Sequence, residues 1–504
     1  MLFIFTNQPQ VADIQQIIDA EFRLNEVVSV KDIAEIDGDF EIKHLIIKEN
    51  AIWLPIDWAN EAPPYLLAYP LKFTKNILLA VVYTKLNNYE QAYPQAEAFP
   101  KLLKDIDTLN CIQHGVAISM PETPEKFDTD FDEYRFWHNA AAIAHYAELT
   151  HFVHYSVNRR YYERAFDLAP NDEFKAFTGK HWATLLLDAD ELSTAERLLT
   201  ECIAFAISDN AKFELMNLQY GVWMKKLSAP YDPALLDKIK QILWEVLQYY
   251  ERGQNYIQTA LLLIDASQIA NYSDSFSESL GYISRAVQLL EQENVPELVA
   301  NAQYRKATLL YTWAQNGNPQ FFRPAMDAYQ QAVKVFTKDN TPEVFAEIQH
   351  HLGVIYSEIP DEIKVKSVWA AVSVSSFKEA LSYFTRETHP YEYARICNSY
   401  ANALTKYPEA KLTDNYAKAL DFYRQALQIR TADEYPYERA LTILNFLETA
   451  WQVSVPEMEA QQQLFEEMTE KAGEVFRLVD DRKLLNEAEH HIKLLKQLKI
   501  TVAE

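Results

Sequence analysis

The side chains best suited to nucleophilic or metal chemistry in this sequence are three cysteines and a few histidine clusters, and their spacing decides what they can do. Cys111, Cys202 and Cys397 are odd in number and lack metal-type spacing, which predicts neither a disulfide framework nor a zinc site. Cys202 and Cys397 fall inside helical patterns, where a thiol has neither the exposure nor the turn that activates it. His138, His145, His151 and His154 cluster in sequence, and on one helix His151 and His154 would share a face. No carboxylate completes an H-E-x-x-H pattern there, and the doublets His350-His351 and His490-His491 have less support still. The sequence has no G-x-x-x-x-G-K-[ST] or G-x-G-x-x-G, so no nucleotide site is expected. The expectation is a protein without catalytic residues, bound metal or cofactor.

Composition narrows the class further. Over 504 residues, 49% are apolar, enough for a continuous core, and only 9 are glycine, which argues against a loop-rich or β-rich fold. A formal net charge of −25 weighs against general nucleic-acid binding, since phosphate contact needs a basic face. The local exception is the patch Arg159, Arg160 and Arg164. The start, MLFIFTNQPQVADIQQ, lacks the basic region and apolar length of a secretory signal, and no run of 18 apolar residues occurs. The expected setting is a reducing cytoplasm, with no membrane partner.

What positions the remaining polar residues is a register that recurs four times. Pro296, Pro342, Pro390 and Pro436 each lie ten residues after an alanine (Ala286, Ala332, Ala380, Ala426) and four before another (Ala300, Ala346, Ala394, Ala440). Proline fixes its own φ and has no N–H, so it suits the first turn of a helix and should open one in each unit. Ala325, Tyr329 and Ala332, like Ala419, Tyr423 and Ala426, follow 4 and 3 spacing on one helical stripe. Leu352, Gly353 and Tyr356 place a small residue beside a tyrosine in the same way on a preceding helix.

These residues resemble the tetratricopeptide repeat, a helix-turn-helix unit with small and aromatic residues at preferred positions. Leu79, Ala80, Tyr83, Asn87, Tyr89 and Ala92 match the same pattern near the start of the chain. The long period and the linkers VFTKDNTPEVFA, YFTRETHPYEYA and IRTADEYPYERA look like bacterial repeats of the kinesin-light-chain type, which often accompany a CHAT-type cysteine protease domain. His114-Gly115 is the one His-Gly in the chain, and no cysteine sits in the turn such a protease needs, so a protease would be a separate chain. The excess in the second unit, residues 357–376, has little loop composition and is expected to lengthen helices.

The resemblance implies an all-α right-handed superhelical solenoid with a small strand-containing α/β cap at the N-terminus. Its expected divisions are the cap at 1–65, irregular helix pairs at 66–254, the regular array at 255–480 and a capping helix at 481–504. LFIFT, VVSVKDI, EIKHLIIKE and AIWLPID are the cap's expected strands, with a DGD turn at 37–39; residues 101–135 read as a loop or ordered excursion. In such an array the first helix of each unit lines a concave groove. That places Asn301, Tyr304 and Arg305, then His350, then Arg395, Asn398 and Asn402, then Asn445 along the groove. Amides there suit the main chain of an extended peptide, and arginines suit its carboxylates. The expected function is a scaffold or adaptor for a protein or peptide partner, in a bacterial multiprotein complex. A narrower alternative is a peptide sensor controlling a separate CHAT-type protease or phage-defence component; a cryptic hydrolase using His114 or the histidine cluster is a distant one.

Overall fold

The computed structural model describes residues 1–35, 44–58, 63–227, 231–408 and 414–503. The chain divides into two compact units, Met1–Asn255 and Tyr256–Glu504. Both are built from consecutive packed helix pairs, and the first also carries a small sheet.

The cap begins with β1 (Leu2–Thr6), α1 (Gln8–Asp19) and β2 (Val28–Asp32), followed by β3 (His44–Lys48), β4 (Ala51–Trp53) and the short β5 (Leu71–Lys72). The strand order is β2-β1-β3-β4-β5, parallel on both sides of β1 and antiparallel beyond β3. Lys48 pairs with Ala51 across Glu49 and Asn50, which both have positive φ (51° and 60°), the twist a two-residue hairpin needs. All four expected strands form at least in part; the turn expected at 37–39 lies outside the described residues. Leu2, Ile4 and Leu45 share one core with Leu78, Val81 and Ala92, so the sheet is seated on the first helix pair.

In the first unit the pairs are α2 (Lys75–Lys85) with α3 (Tyr89–Ala96), then a single α4 (Pro100–His114), α5 (Asp130–Tyr146) with α6 (Tyr155–Leu168), α7 (Asp172–Asp188) with α8 (Leu192–Ile203), and α9 (Asp209–Lys226) with α10 (Pro233–Arg252). Half of the excursion expected at 101–135 is therefore helix. Leu102, Ile106 and Ile112 bury one face of α4, and the irregular chain is confined to 115–129. Asn87 and Asp190 take positive φ (58° and 59°) at the turns that close α2 and α7, where asparagine and aspartate replace the usual glycine.

The second unit runs α11 (Tyr256–Tyr272) with α12 (Phe276–Gln292), α13 (Pro296–Gln315) with α14 (Phe322–Ala332), α15 (Pro342–Glu358) with α16 (Ile363–Tyr383), α17 (Pro390–Leu404) with α18 (Asn415–Ile429), α19 (Pro436–Ala450) with α20 (Met458–Leu478), and α21 (Arg482–Ala503). All four register prolines open their helices, and none of those helices has a side-chain cap bond at its N-cap. The proline itself removes one donor that would otherwise lack a partner. Three of the preceding linkers close on a threonine five residues before the proline. Thr337, Thr385 and Thr431 Oγ1 accept the N–H of Asn340, Thr388 and Glu434 at 3.4, 3.3 and 3.2 Å. The eight register alanines are at most 1% exposed, which lets the backbones approach. Gly353 goes further: a Cβ there would meet the Phe377 ring of α16 at 3.0 Å. Residues 363–383 form one 21-residue helix, as the expectation of longer helices required.

Candidate groove sites

In the first unit α5 holds an irregular segment of the same chain. Asn139 Oδ1 accepts the Leu66 N–H at 2.8 Å, and Asn139 Nδ2 donates to the Leu66 carbonyl at 2.8 Å. On the preceding residue, His138, Nε2 lies 2.7 Å from the Pro64 carbonyl and Nδ1 lies 2.9 Å from Thr178 Oγ1. A carbonyl only accepts, so Nε2 carries the proton and Thr178 donates to Nδ1. Burial pushes His138 down to about 4, against the raising effect of the Pro64 bond. Arg135 Nη1 reaches Asp105 at 2.8 Å, while Asp105 also accepts from the Tyr65 hydroxyl at 2.9 Å. Lys180 donates to the Trp58 carbonyl at 2.9 Å and to Glu214 at 2.7 Å. A cavity of about 410 Å³ remains beside this segment, lined among others by Trp58, Leu66, Asn87, Tyr89 and Lys180. First-helix amides thus bind main chain here, a role the sequence reading did not assign to Asn139. Its position mid-helix beside His138 is the signal that was available.

The groove column expected in the second unit is distributed unevenly. Arg305 is exposed and, like the half-buried Asn301 and Asn445, makes no side-chain hydrogen bond among the described residues. Tyr304 is half-buried, its ring 5.9 Å from that of Tyr329. Arg395 is committed to Glu347, Nη2 to Oε2 at 2.5 Å. Asn402 Oδ1 accepts from the Tyr423 hydroxyl at 2.5 Å, so that amide serves packing between α17 and α18. His350 corrects the expectation most clearly, being 3% exposed with Phe377 packed 6.2 Å from its ring. Phe377 can come that close because the neighbouring residue in the stripe is Gly353. Asn398 Oδ1 is likewise covered and without a hydrogen-bond partner among the described residues.

Around His350 the structure assembles a group that the sequence reading passed over. Glu347, His350 and His351 each offer a ligand atom within 4.8 Å of the others. His351 Nδ1 meets the Tyr329 hydroxyl at 2.8 Å, and burial pushes His351 down to about 4. The i, i+3, i+4 spacing of Glu347 with the two histidines is readable in the sequence, although it does not match the H-E-x-x-H pattern.

Other candidates lose their chemistry. Burial pushes the Cys202 and Cys397 thiols up to about 12, the opposite of activation. His114 ends α4 with Nδ1 on the Asn110 carbonyl at 3.0 Å. His151 and His154 share no helix face: His154 is the N-cap of α6, its Nδ1 accepting the Ser156 N–H at 3.2 Å, and His151 precedes it in the loop. In the basic patch, Arg159 pairs with Glu163 and Glu191, and Arg164 with Glu133. Among the described residues, no helix is long and apolar enough to cross a membrane.

No protein-family model matches this chain, and no curated protein matches it. Among solved structures, the chain is similar to a signal-transduction ATPase with a tetratricopeptide repeat sensor from Pyrococcus horikoshii, at 10% identity over 99% of this chain and 78% of that one, with a TM-score of 0.44. Yeast Tom70 is similar at 11% identity over 85% and 82%, with a TM-score of 0.33. The Cut9–Hcn1 hetero-tetramer of the APC/C is similar at 12% over 84% of each chain, with a TM-score of 0.34. At such scores the likeness says nothing about what this chain binds.

Proposed function

We propose that this chain is a non-catalytic interaction scaffold that binds an extended segment of a protein partner along the first helices of its second unit. The observation that carries this reading is the Asn139 clamp, in which a first-helix amide grips both main-chain groups of Leu66. Asn301 and Asn445 are amides on first helices of the second unit with no competing side-chain bond among the described residues, and Arg305, one turn from Asn301, supplies an exposed cation for one carboxylate. Arg395, Asn398 and Asn402 take supporting places in this scheme, since their polar groups are covered or already engaged.

The partner is identified by affinity capture and mass spectrometry, and the groove is tested with Asn301→Ala combined with Asn445→Ala. Losing two such hydrogen bonds, at about 0.5–1.5 kcal/mol each, should weaken binding roughly tenfold with helix content unchanged. Undiminished binding by that variant, with loss on replacing the 91% exposed Phe22 of the cap by glutamate, would move the docking surface to the cap. Membership of a bacterial complex, and control of a separate CHAT-type protease, are narrower forms of the same reading supported by the long-repeat resemblance alone. A protease assay with and without the bound segment separates a sensor from a passive adaptor.

A further inference from the structure

Glu347, His350 and His351 stand at i, i+3 and i+4 on α15, which sets them on one helical face. The Tyr329 hydroxyl lies 3.0 Å from Thr308 Oγ1 and 2.8 Å from His351 Nδ1, while His351 Nε2 lies 3.3 Å from Glu347 Oε1. Among the described residues neither ring nitrogen of His350 has a hydrogen-bond partner, although the residue is only 3% exposed. Buried polar atoms of this kind are nearly always satisfied, and three ligand atoms within 4.8 Å of one another suit a cation.

We propose that Glu347, His350 and His351 bind one divalent transition-metal ion, zinc or a first-row neighbour that favours imidazole and carboxylate ligands. Two imidazoles and a carboxylate make a three-ligand set of the kind that leaves a position for water or a partner's side chain. The outer contacts have the form such sites use. The Tyr329 hydroxyl meets His351 Nδ1 and leaves Nε2 for the ion, and Arg395 holds the second oxygen of Glu347 at 2.5 Å, leaving the first. Tyr329 belongs to α14 and Arg395 to α17, so the ion sits where three successive repeats of the second unit meet. The Arg395 charge opposes a second cation nearby, which sets the expected affinity at roughly micromolar rather than the far tighter range of closed structural sites.

The test uses the full chain after chelation and dialysis. Calorimetric titration with zinc is expected to show one equivalent bound, with a thermal midpoint raised by a few degrees at saturating metal. Cobalt(II) in its place is expected to give the visible bands of a low-symmetry nitrogen and oxygen site. His350→Gln and His351→Gln should each lose at least about tenfold in affinity, and Tyr329→Phe, which keeps the ring, about 10- to 100-fold. Absence of both zinc heat and cobalt bands in the natural chain overturns the proposal without any variant, and leaves a proton between His351 and Glu347. Unchanged binding in the His350→Gln, His351→Gln double variant overturns it equally, since the ion then rests on other histidines.

Discussion

His138 shows how much depends on one buried ring. Its two nitrogens are used by the Pro64 carbonyl and Thr178, and it packs 5.3 Å from the Phe177 ring. Because burial holds it at about 4 while an unfolded histidine titrates near 6.5, the unfolded chain binds the extra proton first. The stabilisation is complete above about pH 6.5 and is lost as pH falls toward 4, about 3 kcal/mol in all. His145 and His181, also shifted down by burial, add in the same direction. Thermal midpoints of the first unit's signals should therefore drop steeply between about pH 6.5 and 4, and His138→Gln, less stable at neutral pH, should show a flatter profile. An equally steep profile in that variant would assign the acid sensitivity to other groups. The clamp residues were not legible because helical periodicity marks a position as inward without saying what lies opposite. Only the fold brings Leu66 to Asn139, across 73 residues of sequence.

Among the elements, the starts of the regular helices were the most legible and the irregular ends the least. A proline at N1 and a buried alanine four residues later are local signals, and the structure uses them at all four positions. The α4 helix was missed because its polar residues outnumber the three apolar ones that face the core. The two-residue β5 exists only by pairing with β4, and two residues carry no period. The structure adds the threonine of three of the linkers, whose hydroxyl holds the turn before the proline. Thr385→Val should cost about 1 kcal/mol by removing that bond at an exposed site, measured by chemical denaturation. Gly353→Ala should cost more, about 1–3 kcal/mol, since the new methyl meets the Phe377 ring at 3.0 Å. In a repeat stack each pair leans on its neighbours, so hydrogen exchange in the Gly353→Ala variant should rise first in α15 and α16. A uniform rise along α11 to α21 would mean that the second unit opens as one block.

For the molecule as a whole, the groove's local charges and the net charge act in opposite directions on an acidic segment. Arg305 is exposed and makes no ion pair among the described residues, whereas Arg395 has its charge taken up by Glu347. Against that single local attraction stands a formal net charge of −25, which repels an approaching anionic chain at long range. Screening separates the two, because a Debye length of about 8 Å at physiological salt removes the distant field before it removes a contact at hydrogen-bond distance. An acidic partner segment should therefore associate faster as ionic strength rises, the reverse of steered complexes, while its dissociation rate changes little. Arg305→Ala should act on the other rate, raising dissociation roughly two- to fivefold, as expected for an ion pair at an exposed position. Surface-plasmon measurements over a salt series read both. An association rate that falls with added salt would mean that the partner is basic, with the acidic surface steering it in and Arg305 contributing nothing favourable to the contact.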